Sequence, residues 1–532
     1  MFALLTRAVV WLVLSSSLAL ACLAVAVLGA VHAARRATWK WLRCFPGPNE
    51  DIPLRWVVQQ HRHASSVKNK TPYNVSMLEV RMAYYHMFRK HGLFRFYIGP
   101  HPTVAVFRAD YLEIVLNSKS TMEKSVDYEV LHSWLGTGLL TSSGEKWKTR
   151  RRLLTPAFHF RILDSFVQPM NARARGLVQK ILQRSTDPWI NIVPLVAECT
   201  LSILLETIMG VFPEEEEEHC RSYVRAVHYL SSQISSRVQM PWLLLDAIYF
   251  RTAGGKEYKK SADIVHNFTA KVIKKRREEL KSTDQGNLVE EKEESVYNRK
   301  RLCTFLDTLL RYSIENDTSF TDDDIREEVD TFMFEGHDTT SVAISWSLYM
   351  IGLHQDHQRK IQEELDLILE DCSGNDITSE NLKELKYLDC VIKECQRLFP
   401  SVPITGRESV EDFKLGDYTI PKGSTIDVFI YALHRDPDVY PNPERFDPSR
   451  FLPENCISRH PYAFIPFSAG SRNCIGQRYA AMELKIIIAT VLRNFNVIAL
   501  DHRDKVRLSS DLVLRAADGI RLSFSPRFHR ST

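Results

Sequence analysis

The chain has 532 residues, a net charge of +4, 44% hydrophobic and 25% charged residues. This is the composition of an ordinary globular protein, and so small a charge, with no basic patch interleaved with aromatics, argues against nucleic acid as a partner. Its ten cysteines are scattered without a CxxC pair, which fits a reducing compartment rather than a disulfide framework.

Length alone suggests two or three domains. The N-terminus departs from the globular texture. From Ala8 to Val31 the chain is apolar, broken only by Ser15–Ser17 and Gly29. About 24 residues at 1.5 Å each cross a bilayer core, whereas a cleaved signal peptide has an apolar region of about 7–15 residues. The reading favours a retained single-pass anchor. Arg35, Arg36, Lys40 and Arg43 follow it and only Arg7 precedes it, which puts the C-terminal body in the cytoplasm. Pro46-Gly47-Pro48 ends the anchor and stiffens the hinge. The expected division is an anchor and basic linker, 1–45, and a body, 46–532.

After the hinge, Met77–Gly92 reads as a helix, and the alternating segments Phe94–Ile98 and Thr103–Phe107 as a hairpin. Trp147 and Arg151 follow at i, i+4, on one helical face, with an indole N–H and a guanidinium able to clamp a carboxylate. Helical patterns dominate from about Phe160 to Phe399. The acidic run Glu214–Glu218 reads as a solvated helix end or loop, Lys274–Arg277 as an exposed helix face, and 283–300 as a mobile surface loop.

A long helix is expected to start at Thr321, capped reciprocally with Asp324, and to continue to about Leu353, some 48 Å. Its midpoint reads Phe334-Glu335-Gly336-His337-Asp338-Thr339-Thr340. Glu335, Asp338 and Thr339 share a face. Gly336 costs about 1 kcal/mol in a helix interior, and the acid and hydroxyl compete with the backbone. Such rule-breaking points to a functional site; the alternative is a capping break between two helices. A hydroxyl at Thr339 beside a carboxylate at Asp338 suits the passing of a proton at such a site. His337 lies off the stripe and reads as a packing or substrate-facing residue.

Glu394 and Arg397 form an ExxR pair on one helical face. Arg445, in Pro443-Glu-Arg-Phe446, and Arg450, in Phe446-Asp-Pro-Ser-Arg-Phe451, both qualify as a third member, and the fuller FxPxRF spacing favours Arg450. Arg407, after Pro400 and Pro403, is a second basic candidate near the site. His434-Arg-Asp-Pro437 reads as a structural turn. From Asp412 the texture turns to strands, with a turn at Pro421–Gly423, then a helix from about Gln477 to Phe495, and strand-like segments such as Ile520–Phe524.

The most specific stretch is Phe467-Ser-Ala-Gly470-Ser-Arg472-Asn-Cys474-Ile-Gly476. A thiolate that must reach a metal needs a tight turn, and Gly470 and Gly476 are expected to supply positive φ and close approach. Arg472 is placed to meet an anionic edge of the bound group.

Taken in order, WxxxR, the Gly-x-Asp-Thr helix, ExxR, FxPxRF and the Cys loop resemble the cytochromes P-450, over roughly Pro46 to the C-terminus. Trp134-Leu-Gly-Thr-Gly-Leu-Leu140, Leu154-Thr-Pro-Ala-Phe-His-Phe160 and Glu328–Thr340 are most similar to family four, which includes fatty-acid ω-hydroxylases. The resemblance implies a mainly α fold with a small β lobe, one catalytic domain, and haem b between the long helix and the Cys-loop helix. It implies Cys474 as axial iron ligand, and Trp147, Arg151, Arg407, Phe467, Arg472 and Gly476 around the haem. Glu394, Arg397 and Arg450 would support the loop, and Glu335 would be esterified to a haem methyl. Substrate would pass apolar segments near Tyr128–Leu140, Ile404 and Leu514.

The chain lacks a GxGxxG fingerprint, so electrons would come from NADPH through NADPH–cytochrome P-450 reductase, with cytochrome b5 as a further donor, at the endoplasmic reticulum membrane. Lys146, Lys148, Arg150 and Arg152 are expected either to form a docking face for such a partner or to serve solubility. The implied activity is monooxygenation of a small lipophile by O₂, with a fatty acid near its ω end as substrate. The alternatives are a steroid, terpenoid hormone or xenobiotic, and, from another class, a haem-binding scaffold, against which the Asp338–Thr339 pair stands.

Overall fold

Thr321 starts the helix around which the fold is organised. Its N–H donates to the Asp324 carboxylate (2.9 Å) and its hydroxyl accepts from the Asp324 N–H (3.3 Å), the reciprocal cap expected from the sequence. The long helix runs unbroken over Asp322–Leu353. The computed structural model describes residues 45–48, 73–98, 101–212, 217–240, 243–287, 304–315, 320–369 and 376–527; the apolar run Ala8–Val31 and its basic flank lie outside them.

Beyond Ile325 the long helix is buried on nearly every side, as expected of a central helix rather than a surface one. Ile192–Leu204, continued by a π-helical turn Leu205–Met209, packs along it. A Cβ at Gly336 would stand 2.6 Å from Leu204 Cδ1. Gly336 therefore marks a close approach of two helices, not a break, which disposes of the two-helix alternative. The stretch Ile192–Met209 is long and apolar enough to cross a membrane, but 72% of it is buried inside the protein, so it is a core helix.

The architecture is mainly helical with small sheets, as the resemblance implied. In the largest sheet the strands follow the order Leu93–Ile98, His101–Val106, Thr425–Val428, Thr405–Glu408. The Pro46–Pro48 segment is stitched to its edge: the Arg95 N–H donates to the Pro46 carbonyl (2.9 Å), and the Arg95 guanidinium reaches the Phe45 and Pro48 carbonyls. The first helix among the described residues spans Tyr73–Phe88, earlier than expected, and Gly92 turns the chain at φ 73°.

Two surface readings are corrected. Arg276 is not part of an exposed basic face: it is buried and pairs through Nε and Nη2 with both oxygens of Asp307 (2.7 and 2.9 Å), while Nη1 caps the Gly210 carbonyl (3.1 Å). The helix that carries it extends over Ala253–Asn287, so residues 283–287 are helical rather than loop; the rest of the expected loop lies outside the described residues.

The helix after the Cys loop, Gln477–Asn494, buries Glu483 against the long helix, where the nearby Thr340 hydroxyl, also within reach of the Gly336 and His337 carbonyls, only partly offsets the burial. Burial pushes this carboxyl up to about 8. The folded state therefore keeps a proton that the unfolded chain releases near 4.5. Stability should fall as pH rises across that window. Glu483→Gln, which mimics the protonated acid, should flatten the dependence, read as the thermal midpoint against pH; a slope unchanged by the variant would disprove the assignment.

Candidate active site

The Cys loop is shaped by three backbone constraints. The Cys474 N–H donates to the Phe467 carbonyl (2.9 Å), Asn473 N–H to the Gly470 carbonyl (3.2 Å), and Ser468 N–H to the Ile465 carbonyl (3.0 Å). Gly470 sits at φ 72°, and a Cβ there would lie 2.1 Å from the Leu116 carbonyl oxygen. Gly476 does not take positive φ as expected; it sits at −90° as the cap of the following helix, and Ser468, at 58°, is the second left-handed residue. The Gly476 N–H points at the Cys474 sulfur.

Cys474 is accessible yet lies within the protein: it lines an internal space opposite Glu335. Burial first, and then the Glu335 carboxylate, push its thiol up to about 11, against the Gly476 N–H and Arg151, which favour the thiolate. Glu335 is pushed up to about 7 by burial, offset by Lys124.

Around the same space the chain gathers cations. Arg151, on the clamp helix Gly144–Leu154, donates to the Asn473 carbonyl (2.7 Å) and side chain (2.8 Å) beside the thiol. Arg472 crosses the buried Trp147 ring (4.5 Å) and reaches the Met122 and Ser142 carbonyls, leaving Nη1 buried without a partner. Arg407 is buried and donates to Thr405 and the Gly406 carbonyl. Lys124 lies over the Tyr128 ring (4.3 Å). Burial, then Arg407 and Arg472, lower Lys124; burial, then Arg407, lower Arg472 to about 10. Like charges collected in an interior require an anion to offset them. A haem, with two carboxylates at its edge and an iron that seeks a thiolate, fits this donor set. Lys124 was not foreseen, since it belongs to no recognisable motif; only its spacing to Tyr128 hints at a shared role.

On the long helix, Glu335 and Thr339 border the internal space, and the Thr339 hydroxyl donates to the Glu335 carbonyl (2.8 Å). Asp338 does not share their surroundings. It is fully buried, with Arg515 Nη2 on both oxygens (2.7 and 2.6 Å) and His228 Nε2 3.7 Å away. Burial pushes its carboxyl upward, but Arg515, His228 and His337 together hold it below the usual range. Neither Arg515 nor His228 was singled out by sequence, because they come from segments 177 and 110 residues away with no motif of their own. His337 is a packing residue: its Nδ1 meets the Met333 carbonyl and its ring lies 5.6 Å from that of Tyr223.

Glu394 and Arg397 are both fully buried and joined by two hydrogen bonds (2.7 and 2.8 Å). Arg450 stands 3.6 Å from Glu394, whereas Arg445 is exposed and contributes its carbonyl to Arg397. Arg397 also holds the carbonyls of His434 and Pro443, and His434 Nε2 accepts from Ile465 N–H (3.0 Å) at the start of the Cys loop. His434 is thus structural, as expected. Two of the family-four segments meet where Leu139 N–H donates to Glu328, and the contact is extended by Thr137 N–H and hydroxyl donating to the adjoining Glu327. Lys146 pairs with Glu327 (2.7 Å), and Arg150 is buried against Asp324 and Glu328. These two cations hold the clamp helix to the long helix; Arg150 is buried and so withdrawn from the expected docking face, while Lys146 keeps 37% of its side chain exposed and Lys148 and Arg152 remain exposed.

The cytochrome P-450 family profile matches residues 66–524. Mouse (Mus musculus) cytochrome P-450 4V2 is 42% identical over 489 residues, 92% of this chain and 91% of the relative. Drosophila melanogaster cytochrome P-450 4c3 is 44% identical, covering 82% of each chain, and human (Homo sapiens) cytochrome P-450 4V2 is 43% identical, covering 85% of each. The chain belongs to the cytochrome P-450 family and is most similar to its family-four members. It is a monooxygenase that works with haem b, O₂, a redox partner and a small substrate.

Gly470→Ala should cost about 1–2 kcal/mol for the left-handed backbone alone, with the clash on Leu116 added. The expected result is loss of the haem-thiolate absorbance of the reduced CO complex at unchanged expression of the chain; a normal spectrum would show that the loop does not need glycine there.

Proposed function

We propose that this protein is a membrane-anchored fatty-acid monooxygenase acting at or near the ω end, in which Cys474 would hold the haem iron and Glu335 would carry an ester bond to the haem. The observation that carries the haem site is the set of cations, Arg407 buried and Lys124, Arg151 and Arg472 half-buried, around an accessible interior thiol. What supports the substrate class is the similarity to family four, together with Glu335 facing that thiol across the internal space. The anchor, Ala8–Val31, would hold the enzyme on the endoplasmic reticulum membrane, with electrons from NADPH–cytochrome P-450 reductase and cytochrome b5.

Arg151, Arg407, Arg472 and Lys124, with the Trp147 indole, would hold the propionates. Phe467 and Gly476 would border the thiolate ligand, and the Gly476 N–H would stabilise its charge. Bound there, thiolate-ligated haem supplies the binding and reductive activation of O₂. Thr339 would orient a proton at its hydroxyl, and Asp338 would supply protons from the flank of the helix. Glu394, Arg397 and Arg450 would hold the loop that presents Cys474. The Glu327 and Glu328 contacts to Thr137 and Leu139 fix the segment over the pocket, and an ester at Glu335 would add rigidity. A rigid pocket can hold a terminal methyl in place of the weaker internal C–H bonds, which is orientation spent on regioselectivity.

Two measurements test this. Acid–acetone extraction followed by mass spectrometry should leave haem on the wild-type protein and release it, unmodified, from Glu335→Gln; freely extracted haem from wild type removes the ester. With reductase and NADPH, lauric acid should give mainly the ω product. Turnover of a steroid, terpenoid or xenobiotic with none of fatty acids would overturn the substrate assignment.

A further inference from the structure

A cavity of about 360 Å³ borders the long helix at Val342, Ser345 and Trp346, not at Glu335 and Thr339, and its wall includes His228, Asp511 and Arg515. Arg515 belongs to the hairpin of Leu508–Ser510 and Leu514–Ala516, which is tied to the long helix by Trp346 Nε1 donating to the Leu514 carbonyl (2.8 Å). Its Nη2 straddles both oxygens of Asp338, and its Nη1 lies 3.1 Å from His228 Nε2. Its Nε is buried and has no hydrogen-bond partner. Asp511 accepts from the Ser509 hydroxyl at Oδ1 (3.1 Å), and its Oδ2 stands 3.8 Å from that nitrogen, near enough to attract it and too far for a hydrogen bond. Both acids are buried, Asp338 completely and Asp511 with 8% of its side chain exposed. One guanidinium thus stands between two buried carboxylates and fully engages one.

This arrangement constrains Asp338. With both oxygens occupied by Arg515 it is held ionised, and it cannot turn toward Thr339 while the pair is intact. A buried acid cannot simply abandon its counter-charge, because the lone cation left behind is costly. A second carboxylate within reach removes that obstacle. We propose that Arg515 has two seats, and that its shift from Asp338 to Asp511 releases Asp338 to take up a proton from the polar cavity and pass it toward Thr339. Asp511 is then a positioning residue, acting through Arg515. The proposal rests on the proton-relay role given to Asp338 above. Two-seat behaviour is physically reasonable because the shift is small, and because the guanidinium keeps a charge partner throughout.

The test combines stability and coupling on the haem-loaded, full-length enzyme. If Arg515 moves to Asp511 when Asp338 loses its charge, Asp511→Asn should lower the thermal midpoint about twofold more in an Asp338→Asn background than in wild type. With reductase and NADPH, Asp511→Asn and Asp338→Asn should each raise hydrogen peroxide released per NADPH several-fold. Adding Asp511→Asn to Arg515→Gln should change that ratio no further, which gives a second check should Asp338→Asn not take up haem. Equal midpoint shifts in both backgrounds, or an unchanged peroxide ratio for Asp511→Asn, overturn the two-seat inference while the role of Asp338 stands. An unchanged peroxide ratio for Asp338→Asn removes the relay role, and the inference with it.

Discussion

Mutual repulsion among Lys124, Arg151, Arg407 and Arg472 is the constraint on which the rest of the site depends. Burial lowers the proton affinity of each, and for Lys124 and Arg472 the neighbouring cations lower it further. The carboxylates of Glu335 and Asp127 offset Lys124, and that of Glu123 offsets Arg472, only in part, and cations withdrawn from water without full counter-charge cost stability. The cluster is coherent when an anionic group lies among its members. The raised Cys474 thiol belongs to the same account: it is a poor thiolate alone, and a metal ion would invert that preference.

The framework is built to hold these groups against their own repulsion. The Arg472 and Arg151 guanidinia are tied to backbone carbonyls at Met122, Ser142 and Asn473, so their positions do not rely on the bound group. The Glu394–Arg397 pair reaches the loop indirectly, through the His434 carbonyl and then the His434 ring to Ile465. On the other side, the Glu327 and Glu328 carboxylates fasten the segment after Trp134 to the long helix. Both faces of the site are therefore fixed by buried polar contacts whose loss would leave unpartnered charge, and such contacts define geometry more strictly than apolar packing does.

Much of this was legible beforehand, and for identifiable reasons. The Thr321–Asp324 cap and the Glu394–Arg397 pair involve partners three residues apart, so helical geometry alone brings them together. The Cys loop was legible because its glycines and arginine are close in sequence. Errors arose where neighbours distant in sequence decide a residue's surroundings. Arg276 reads as one of four surface cations until Asp307 and Gly210 are seen against it. Arg150 reads as a surface cation until Asp324 and Glu328 are placed beside it. Gly336 reads as a helix flaw until Leu204 fills the space that a side chain would need.

By itself, then, the sequence determined the family, the long central helix and the tight loop that carries Cys474, because local spacing and backbone freedom carry those. Tertiary structure alone decided which charges face one another. It brought Lys124 into the cation cluster, separated Asp338 from Thr339 by giving it to Arg515, and put Asp511 within reach of the same guanidinium. The physical reason is that an ion pair in an interior depends on distance through space, and residues such as Asp338 and Arg515, 177 positions apart, leave no periodic trace in the chain.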